Sequence, residues 1–179
     1  MRFGKAILIA SLIFLPALIA ACHFQVVKPH VWLHLADGTT GREIALEPLR
    51  EGEEVVYTWR NSMFRLMVTE ILVARDGRLV LTEVTYADPR GFEPPLCKLE
   101  DLDELFQTGG PFRVRGISRP FERLVFRVGE IGNPRLKIGK KVVELTREVG
   151  FGGSVVLTTR TPSVELQQPS TAPPPQAYR

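Results

Sequence analysis

Short runs of alternating apolar and polar residues, separated by turn residues, constrain the fold of this chain more than any other feature. In residues 79–86 apolar side chains recur at every second position with one slip, which predicts a strand with a bulge or a change of face. The preceding Asp76-Gly77 pair supplies the positive φ angles that a two-residue hairpin needs, and apolar-rich runs flank it on both sides. The pattern predicts a tight antiparallel hairpin at this point.

The same alternation, interrupted by turn residues, recurs over most of the chain. It predicts about nine short strands, at residues 31–35, 43–46, 54–59, 66–74, 79–86, 123–128, 137–138, 142–145 and 154–159. Gly139-Lys140, between two of these runs, predicts a second tight hairpin. Many short strands joined by regularly spaced turns are typical of antiparallel sandwiches and barrels.

One segment has the spacing of a helix instead of a strand. Leu99, Leu102, Leu105 and Phe106 recur at intervals that place them on one helical face, and acidic residues occupy the other positions. The Gly109-Gly110-Pro111 sequence that follows is a helix stop. We therefore expect a mainly β domain over residues 30–160, a compact antiparallel sandwich or barrel with one short helix.

The N-terminal segment has the organisation of a secretory signal. Arg2 and Lys5 are followed by residues 6–21, which carry no charge and are rich in Ala, Ile and Leu. Two alanines then precede Cys22, an arrangement typical of a bacterial lipoprotein signal, in which the cysteine thiol is acylated and the chain is cut before it. This predicts a signal peptide over residues 1–21 and lipidation of Cys22.

Lipidation of Cys22 would anchor the protein to a membrane outside the cytoplasm, in the periplasm or on the cell surface, because several acyl chains hold a protein stably. Residues 22–29 would then be a linker. Ordinary secretion and an uncleaved N-terminal anchor are the alternatives. His23 stands where an aspartate usually accompanies retention in the inner membrane, which weakly favours an outer-membrane destination where one exists.

The C-terminal residues and the overall charge limit the remaining function classes. Residues 161–179 are polar and rich in proline and glutamine, which predicts a disordered tail. Without Arg2 and Lys5 the 23 basic residues of the chain become 21, against 20 acidic ones. This balance argues against a nucleic-acid partner, since such proteins carry a strong basic excess.

Three polar side chains are candidates for binding a small anionic or polar ligand. Asn61 and Ser62 follow one predicted strand, and Glu70 lies within the next, among apolar residues. The alternative is that Asn61 and Ser62 only cap a turn. If Glu70 is buried, its carboxylate requires a cationic partner such as Arg60 or Arg65.

Other chemistry-bearing residues do not form a recognisable site, so we expect no enzyme activity, metal or cofactor. His30 and His34 would share one strand face, but a third metal ligand is not evident. Cys97 has no histidine outside the N-terminal segment to activate it. It also has no disulfide partner if Cys22 is lipidated, whereas a Cys22–Cys97 disulfide is the alternative for a secreted chain. Trp32 and Trp59 are most simply core aromatics.

The order of several short motifs resembles a known family. They are the Gly-Glu lead-in at 51–53, the strand end Tyr-Thr-Trp-Arg-Asn-Ser at 57–62, Glu70, the Asp-Gly-Arg-Leu-Val-Leu hairpin at 76–81, the closing hairpin at 137–145 and the glycines at 150–153. This order resembles the uncharacterised prokaryotic family known as domain of unknown function eighteen-fifty, over about residues 31–159. The chain departs from it at Asn61, where the family has His, and at residues 88–94, a shortened form of its Gly-rich segment.

Members of that family often accompany permeases of TRAP-type (tripartite, ATP-independent) transporters. The resemblance therefore implies an extracytoplasmic accessory role beside an integral-membrane permease. Together with the predicted anchor, it suggests a membrane-anchored accessory or binding module of unknown ligand. The alternative is a structural envelope lipoprotein that makes protein–protein contacts only, and a hydrolase using Ser62 or Cys97 ranks third.

Overall fold

The computed structural model describes residues 31–160, which form two antiparallel sheets. The predicted signal peptide, Cys22, the linker, His30 and the C-terminal tail lie outside the described residues. The strands are β1 (Val31–Asp37), β2 (Glu43–Leu49), β3 (Glu54–Arg60), β4 (Met67–Arg75), β5 (Arg78–Ala87), β6 (Phe112–Phe121), β7 (Arg123–Arg127), β8 (Arg135–Ile138), β9 (Lys141–Glu144) and β10 (Ser154–Arg160). A 3-10 turn (Leu99–Asp101) leads into α1 (Leu102–Thr108), and α2 is Leu145–Val149.

The two sheets pack face to face as a sandwich, which confirms the predicted mainly β class. Of the two predicted forms, sandwich and barrel, the structure has the sandwich and not a closed barrel. The strand order is β2-β1-β10-β7 in the smaller sheet and β6-β5-β4-β3-β8-β9 in the larger one. Alternate side chains of the facing strands fill the space between them, including Leu33, Leu35, Val55, Val68 and Leu157, all at most 1% exposed. The rings of Tyr57 and Phe126 join the two sheets at a centroid distance of 4.2 Å.

Both predicted hairpins are present, and so is the predicted bulge. Asp76 and Gly77 have φ angles of 50° and 78° between the paired residues Arg75 and Arg78, as a type I′ turn requires. In β5 the register with β4 shifts at Thr82, whose hydroxyl donates a hydrogen bond of 3.2 Å to the carbonyl of Ile71. The slip in the apolar alternation therefore marks a true irregularity of the sheet.

Two described elements were not predicted. β6 was missed because Gly116, Ser118 and Pro120 interrupt its alternation, and it tolerates proline because it lies at a sheet edge. The single predicted helix corresponds to the 3-10 turn and α1, but the five-residue α2 is a second helix. Leu145, expected to end a strand, instead begins α2 and is fully buried.

The strand directions define two ends of the sandwich. Val31 and Arg160 lie at one end, together with the β4–β5 hairpin, and we call this the hairpin end. Asp37 and Arg127 lie at the opposite end of the smaller sheet, where the larger sheet contributes Arg60, and we call this the cavity end. The seven residues of β1 separate the two ends by about 20 Å.

Gly109, at the C-terminus of α1, should be among the least replaceable glycines. Its φ is +71°, and a Cβ there would overlap the ring of Phe64. Gly150, after α2, has the same φ of +71°, but a Cβ at that position would have no atom within 4 Å, so it provides a matched control. Both residues combine this φ with ψ near 180°, a region adopted almost only by glycine, so each alanine substitution should cost about 1–3 kcal/mol.

We expect Gly109→Ala to lower the free energy of unfolding by a further 1–3 kcal/mol or so relative to Gly150→Ala, because the Phe64 ring must move from its packed position. Urea unfolding of both variants measures this difference. Equal losses in the two variants would show that the Phe64 contact adds no constraint.

Candidate functional site

A cavity of about 340 Å³ opens at the cavity end of the sandwich. One wall is the end of β3, with Tyr57, Trp59 and Arg60, and Ser62 follows at the rim. The opposite wall comes from Arg127 at the end of β7 and from the loop of residues 129–134 that follows it. The cavity therefore lies between the ends of two strands that belong to different sheets.

Backbone hydrogen bonds fix the 129–134 loop against the sandwich. Before the loop, the amide of Val128 donates to the carbonyl of Gly153, and the carbonyl of Val128 accepts from the amide of Gly152, both at 2.9 Å. Within the loop, the carbonyl of Gly132 accepts from the amide of Arg60 at 2.8 Å. At its end, the carbonyl of Pro134 accepts from the amide of Leu145 at 2.9 Å. The loop wall of the cavity is thus positioned by the fold itself.

The cavity has an uncompensated positive charge. Arg60 and Arg127 both line it, and within residues 31–160 neither guanidinium forms an ion pair or hydrogen bond. Glu130 is the acidic residue of the lining. By contrast, Arg113 and Arg115 on the outer face of the sandwich both bind Glu83, with Nε–Oε distances of 2.6 and 2.9 Å.

Glu70 lies behind this cavity on the inner face of β4. It lies two residues from Val68 and from Leu72, so its side chain is on the same face of the strand as theirs, which are at most 1% exposed. It pairs with Tyr57 on β3 and Val84 on β5.

The expected cationic partner of Glu70 is absent: within residues 31–160 no ion pair includes Glu70. Arg60 has the opposite strand parity to Tyr57, and Arg65 lies in the turn before β4, with φ of 56°. Glu70 is only partly buried, so the condition under which a cationic partner was expected is met in part.

Burial accordingly raises the pKa of the Glu70 carboxyl above its ordinary value of 4.5. The Trp59 indole lies close enough to lower the pKa of this carboxyl in part, although its buried Nε1 makes no well-formed hydrogen bond within the described residues. Glu70 is thus a carboxyl group on the core face whose charge has no counter-ion to offset its desolvation.

Two tyrosines surround Glu70 and respond to its charge. Burial, and then the proximity of Glu70, raises the pKa of both Tyr57 and Tyr86. The side chain of Asn61 acts on Tyr86 in the opposite direction and lowers its pKa in part. Asn61, Glu70, Tyr57 and Tyr86 therefore form a group behind the cavity that we call the polar layer, and Tyr57 belongs to both.

The structure divides the three predicted ligand-binding residues between these two places. Ser62 lines the cavity, whereas Glu70 and Asn61 belong to the polar layer. The Oδ1 atom of Asn61 also accepts hydrogen bonds from the amides of Met63, at 3.0 Å, and Phe64, at 2.9 Å. Asn61 therefore closes the turn between β3 and β4, as the structural alternative for this residue required.

The remaining candidates lie elsewhere. His34 is on β1, with Nε2 at 3.4 Å from Glu43 and Nδ1 at 3.3 Å from Arg160. Cys97 is partly buried, and its Sγ lies 3.7 Å from the carbonyl of Pro95. Within residues 31–160, no group of three His, Cys, Asp or Glu side chains could hold a metal ion, and no helix has the length and apolarity to cross a membrane.

Sequence reasoning did not find Arg127 and the 129–134 loop. Gly129, Gly132, Asn133 and Pro134 mark this segment as a loop, which was the available signal. Nothing local indicates that the loop faces Trp59, about 70 positions earlier in the chain. Comparison with protein-family models, curated proteins and solved structures finds no match for this chain.

Proposed function

We propose that this protein is a membrane-anchored, extracytoplasmic binding module whose small-molecule site is the cavity at the cavity end of the sandwich. The observation that carries the proposal is a cavity lined both by arginines that have no ion pair within residues 31–160 and by aromatic side chains. Ligand sites in proteins combine an apolar lining with a few polar groups that orient the ligand, usually in volumes of about 300–1,000 Å³. At about 340 Å³ the cavity is suited to a small ligand.

The position of the cavity agrees with an anchor at Cys22. Val31, the described residue nearest to Cys22 in the chain, begins β1 at the hairpin end, whereas the cavity opens at the other end. A lipid on Cys22 would hold the hairpin end nearer the membrane and leave the cavity accessible. This arrangement favours a module that exchanges ligand with the surrounding compartment or with a partner.

The resemblance to the family that accompanies TRAP-type permeases extends the proposal to an integral-membrane partner. Such a partner would contact the cavity end through a part that projects from the membrane past the hairpin end, because a ligand must pass between the two proteins. Ser62 at the cavity rim and Ser118 near the hairpin end are sites for a photo-crosslinking residue at opposite ends of the sandwich.

In native membranes we expect crosslinks to a transporter permease from position 62 and few or none from position 118. Crosslinks to a permease at equal yield from both positions would contradict the proposed orientation. Crosslinks only to other envelope proteins would contradict the transporter association for this chain.

The anchor itself has a direct test. We expect the full chain to incorporate radiolabelled palmitate and to remain in the membrane fraction. Cys22→Ala should lose the label and leave the precursor uncleaved, because cleavage of a lipoprotein signal follows acylation. Normal processing of the Cys22→Ala variant with release of the soluble domain would instead show ordinary secretion.

A structural envelope lipoprotein is the second candidate, and the segment between β5 and β6 favours it. Phe92 and Leu96 are 65% and 68% exposed, and Leu99 and Phe106 in the following helical part are also exposed. Exposed apolar residues in one segment are typical of a protein-contact surface. If this candidate is correct, replacing Phe92 and Leu96 with serine should abolish the crosslinked partners, whereas altering the cavity should leave them unchanged.

A further inference from the structure

We propose that the cavity selects a small monocarboxylate with a flat apolar body, an inference that rests on the proposed binding function and names its ligand class. Two of the lining residues are arginines and one is a glutamate, so the lining residues have a formal net charge of +1, with Glu70 in the polar layer behind them. That charge complements one carboxylate and provides less compensation for a dianion. The arginine fork matches the two oxygens of a carboxylate in a paired hydrogen-bonding geometry.

Arg60 and Arg127 combine two properties: neither has an acidic partner within residues 31–160, and both line this cavity, which the other arginines without an acidic partner do not. Seven other arginines each have an acidic partner within 4 Å, namely Arg42, Arg78, Arg90, Arg113, Arg115, Arg135 and Arg147. An anion that binds either arginine in the cavity would gain charge-assisted hydrogen bonds without breaking an existing ion pair.

The apolar part of the lining defines the rest of the ligand. Tyr57 and Trp59 lie on one side, and Ile131 and Pro134 belong to the facing loop. A lining that includes aromatic and aliphatic side chains favours a flat apolar body over a hydrated inorganic anion such as phosphate. The fixed loop keeps the two sides apart, so the cavity does not need to open for such a ligand.

The test uses the full chain in mild detergent, with its two tryptophans replaced by 5-fluorotryptophan. Trp59 lines the cavity, whereas Trp32 is on β1 outside it. The fluorine NMR signal of Trp59 therefore reports ligand binding in the cavity, and that of Trp32 is an internal control. The Trp32→Phe variant assigns the two signals. Benzoate is the monocarboxylate probe, benzamide its neutral analogue, phthalate the dianion, and inorganic phosphate the anion without an apolar body.

We expect benzoate to shift the Trp59 signal saturably and to leave Trp32 unchanged, with benzamide, phthalate and phosphate each binding at least tenfold more weakly. Arg127→Gln should weaken benzoate binding at least tenfold. Arg123→Gln, on the same strand but outside the cavity lining, should leave it unchanged.

Two results would overturn the proposal. Saturable shifts of Trp59 by benzamide that equal those by benzoate would refute carboxylate selection while leaving a binding cavity in place. The absence of any Trp59 shift with all four probes at millimolar concentration would refute the ligand class. The proposed binding function would then be decided separately by whether the protein retains a natural small molecule when purified from its own membranes.

Discussion

Replacing Phe112 with alanine is expected to lower the free energy of unfolding by about 3–5 kcal/mol, the range for truncating a buried phenylalanine. Phe112 is 1% exposed at the start of β6. Its ring stacks on Tyr86 of β5 at a centroid distance of 4.6 Å and meets Phe106 of α1 edge to face at 5.9 Å. The truncation would therefore leave a void where α1 packs on the larger sheet.

Phe92→Ala provides the control, because Phe92 is largely exposed and should change stability by no more than about 0.5 kcal/mol. Urea unfolding measures both variants, and hydrogen exchange should show lost protection in α1 only for Phe112→Ala. A loss below about 1 kcal/mol for Phe112→Ala would contradict the packing of this aromatic cluster.

Replacing Glu70 with glutamine is expected to raise the thermal midpoint at pH 7, because the amide keeps the shape of the carboxylate without a charge to desolvate. Burial raises the pKa of Glu70 above 4.5, so the folded state binds its proton more tightly than the unfolded state. The stability of the native protein should therefore fall as the pH rises from 4.5 through the folded-state pKa. The isosteric amide removes this loss, and the gain should disappear below about pH 4.

Glu83 on the neighbouring strand is the matched control with the opposite sign. Burial alone would raise the pKa of Glu83, but hydrogen bonds and charges from Arg113 and Arg115 outweigh it and lower the pKa. This carboxylate therefore stabilises the fold above pH 4.5, and that stability is lost as the pH falls through the folded-state pKa. Glu83→Gln should lower the thermal midpoint at pH 7 and have little effect near pH 2.

Thermal unfolding of the two variants between pH 2 and 8 measures both effects. A lower midpoint for Glu70→Gln at pH 7 would contradict the uncompensated burial of this carboxylate, because it would show that the Glu70 charge has a stabilising partner. The opposite effects expected for Glu70→Gln and Glu83→Gln cannot come from the residue type, since the same substitution is made on adjacent strands.

The sequence was most informative where structure depends on neighbouring residues. Asp76-Gly77 specifies its hairpin through the φ angles of two residues, and the slip around Thr82 is visible within one strand. β6 was not recognised, because its interruptions at Gly116 and Pro120 are acceptable only at a sheet edge. That position depends on the whole sheet.

The candidate site was less accessible to sequence reasoning for the same reason. The parity of Glu70 with Val68 and Leu72 indicates an inward side chain, but its neighbours Tyr57 and Tyr86 come from strands on either side. The cavity needs Arg60 and Arg127, whose proximity results from the packing of one sheet on the other. Trp59, interpreted as a core aromatic, packs against the core and also lines the cavity.

Gly129 offers a way to test whether the cavity holds a small molecule. It lines the cavity, and a Cβ there would meet no atom within 4 Å, so Gly129→Leu should place a large apolar side chain at the cavity wall with little strain on the fold. Gly129→Ala is the control, because a single methyl group takes up little of the space.

The most direct measurement is native mass spectrometry of the full chain purified from its own membranes without denaturation. We expect one small molecule bound per chain in the unaltered protein and in Gly129→Ala, and none in Gly129→Leu. A chain that carries no small molecule, or a bound molecule that Gly129→Leu retains, would contradict the proposed site.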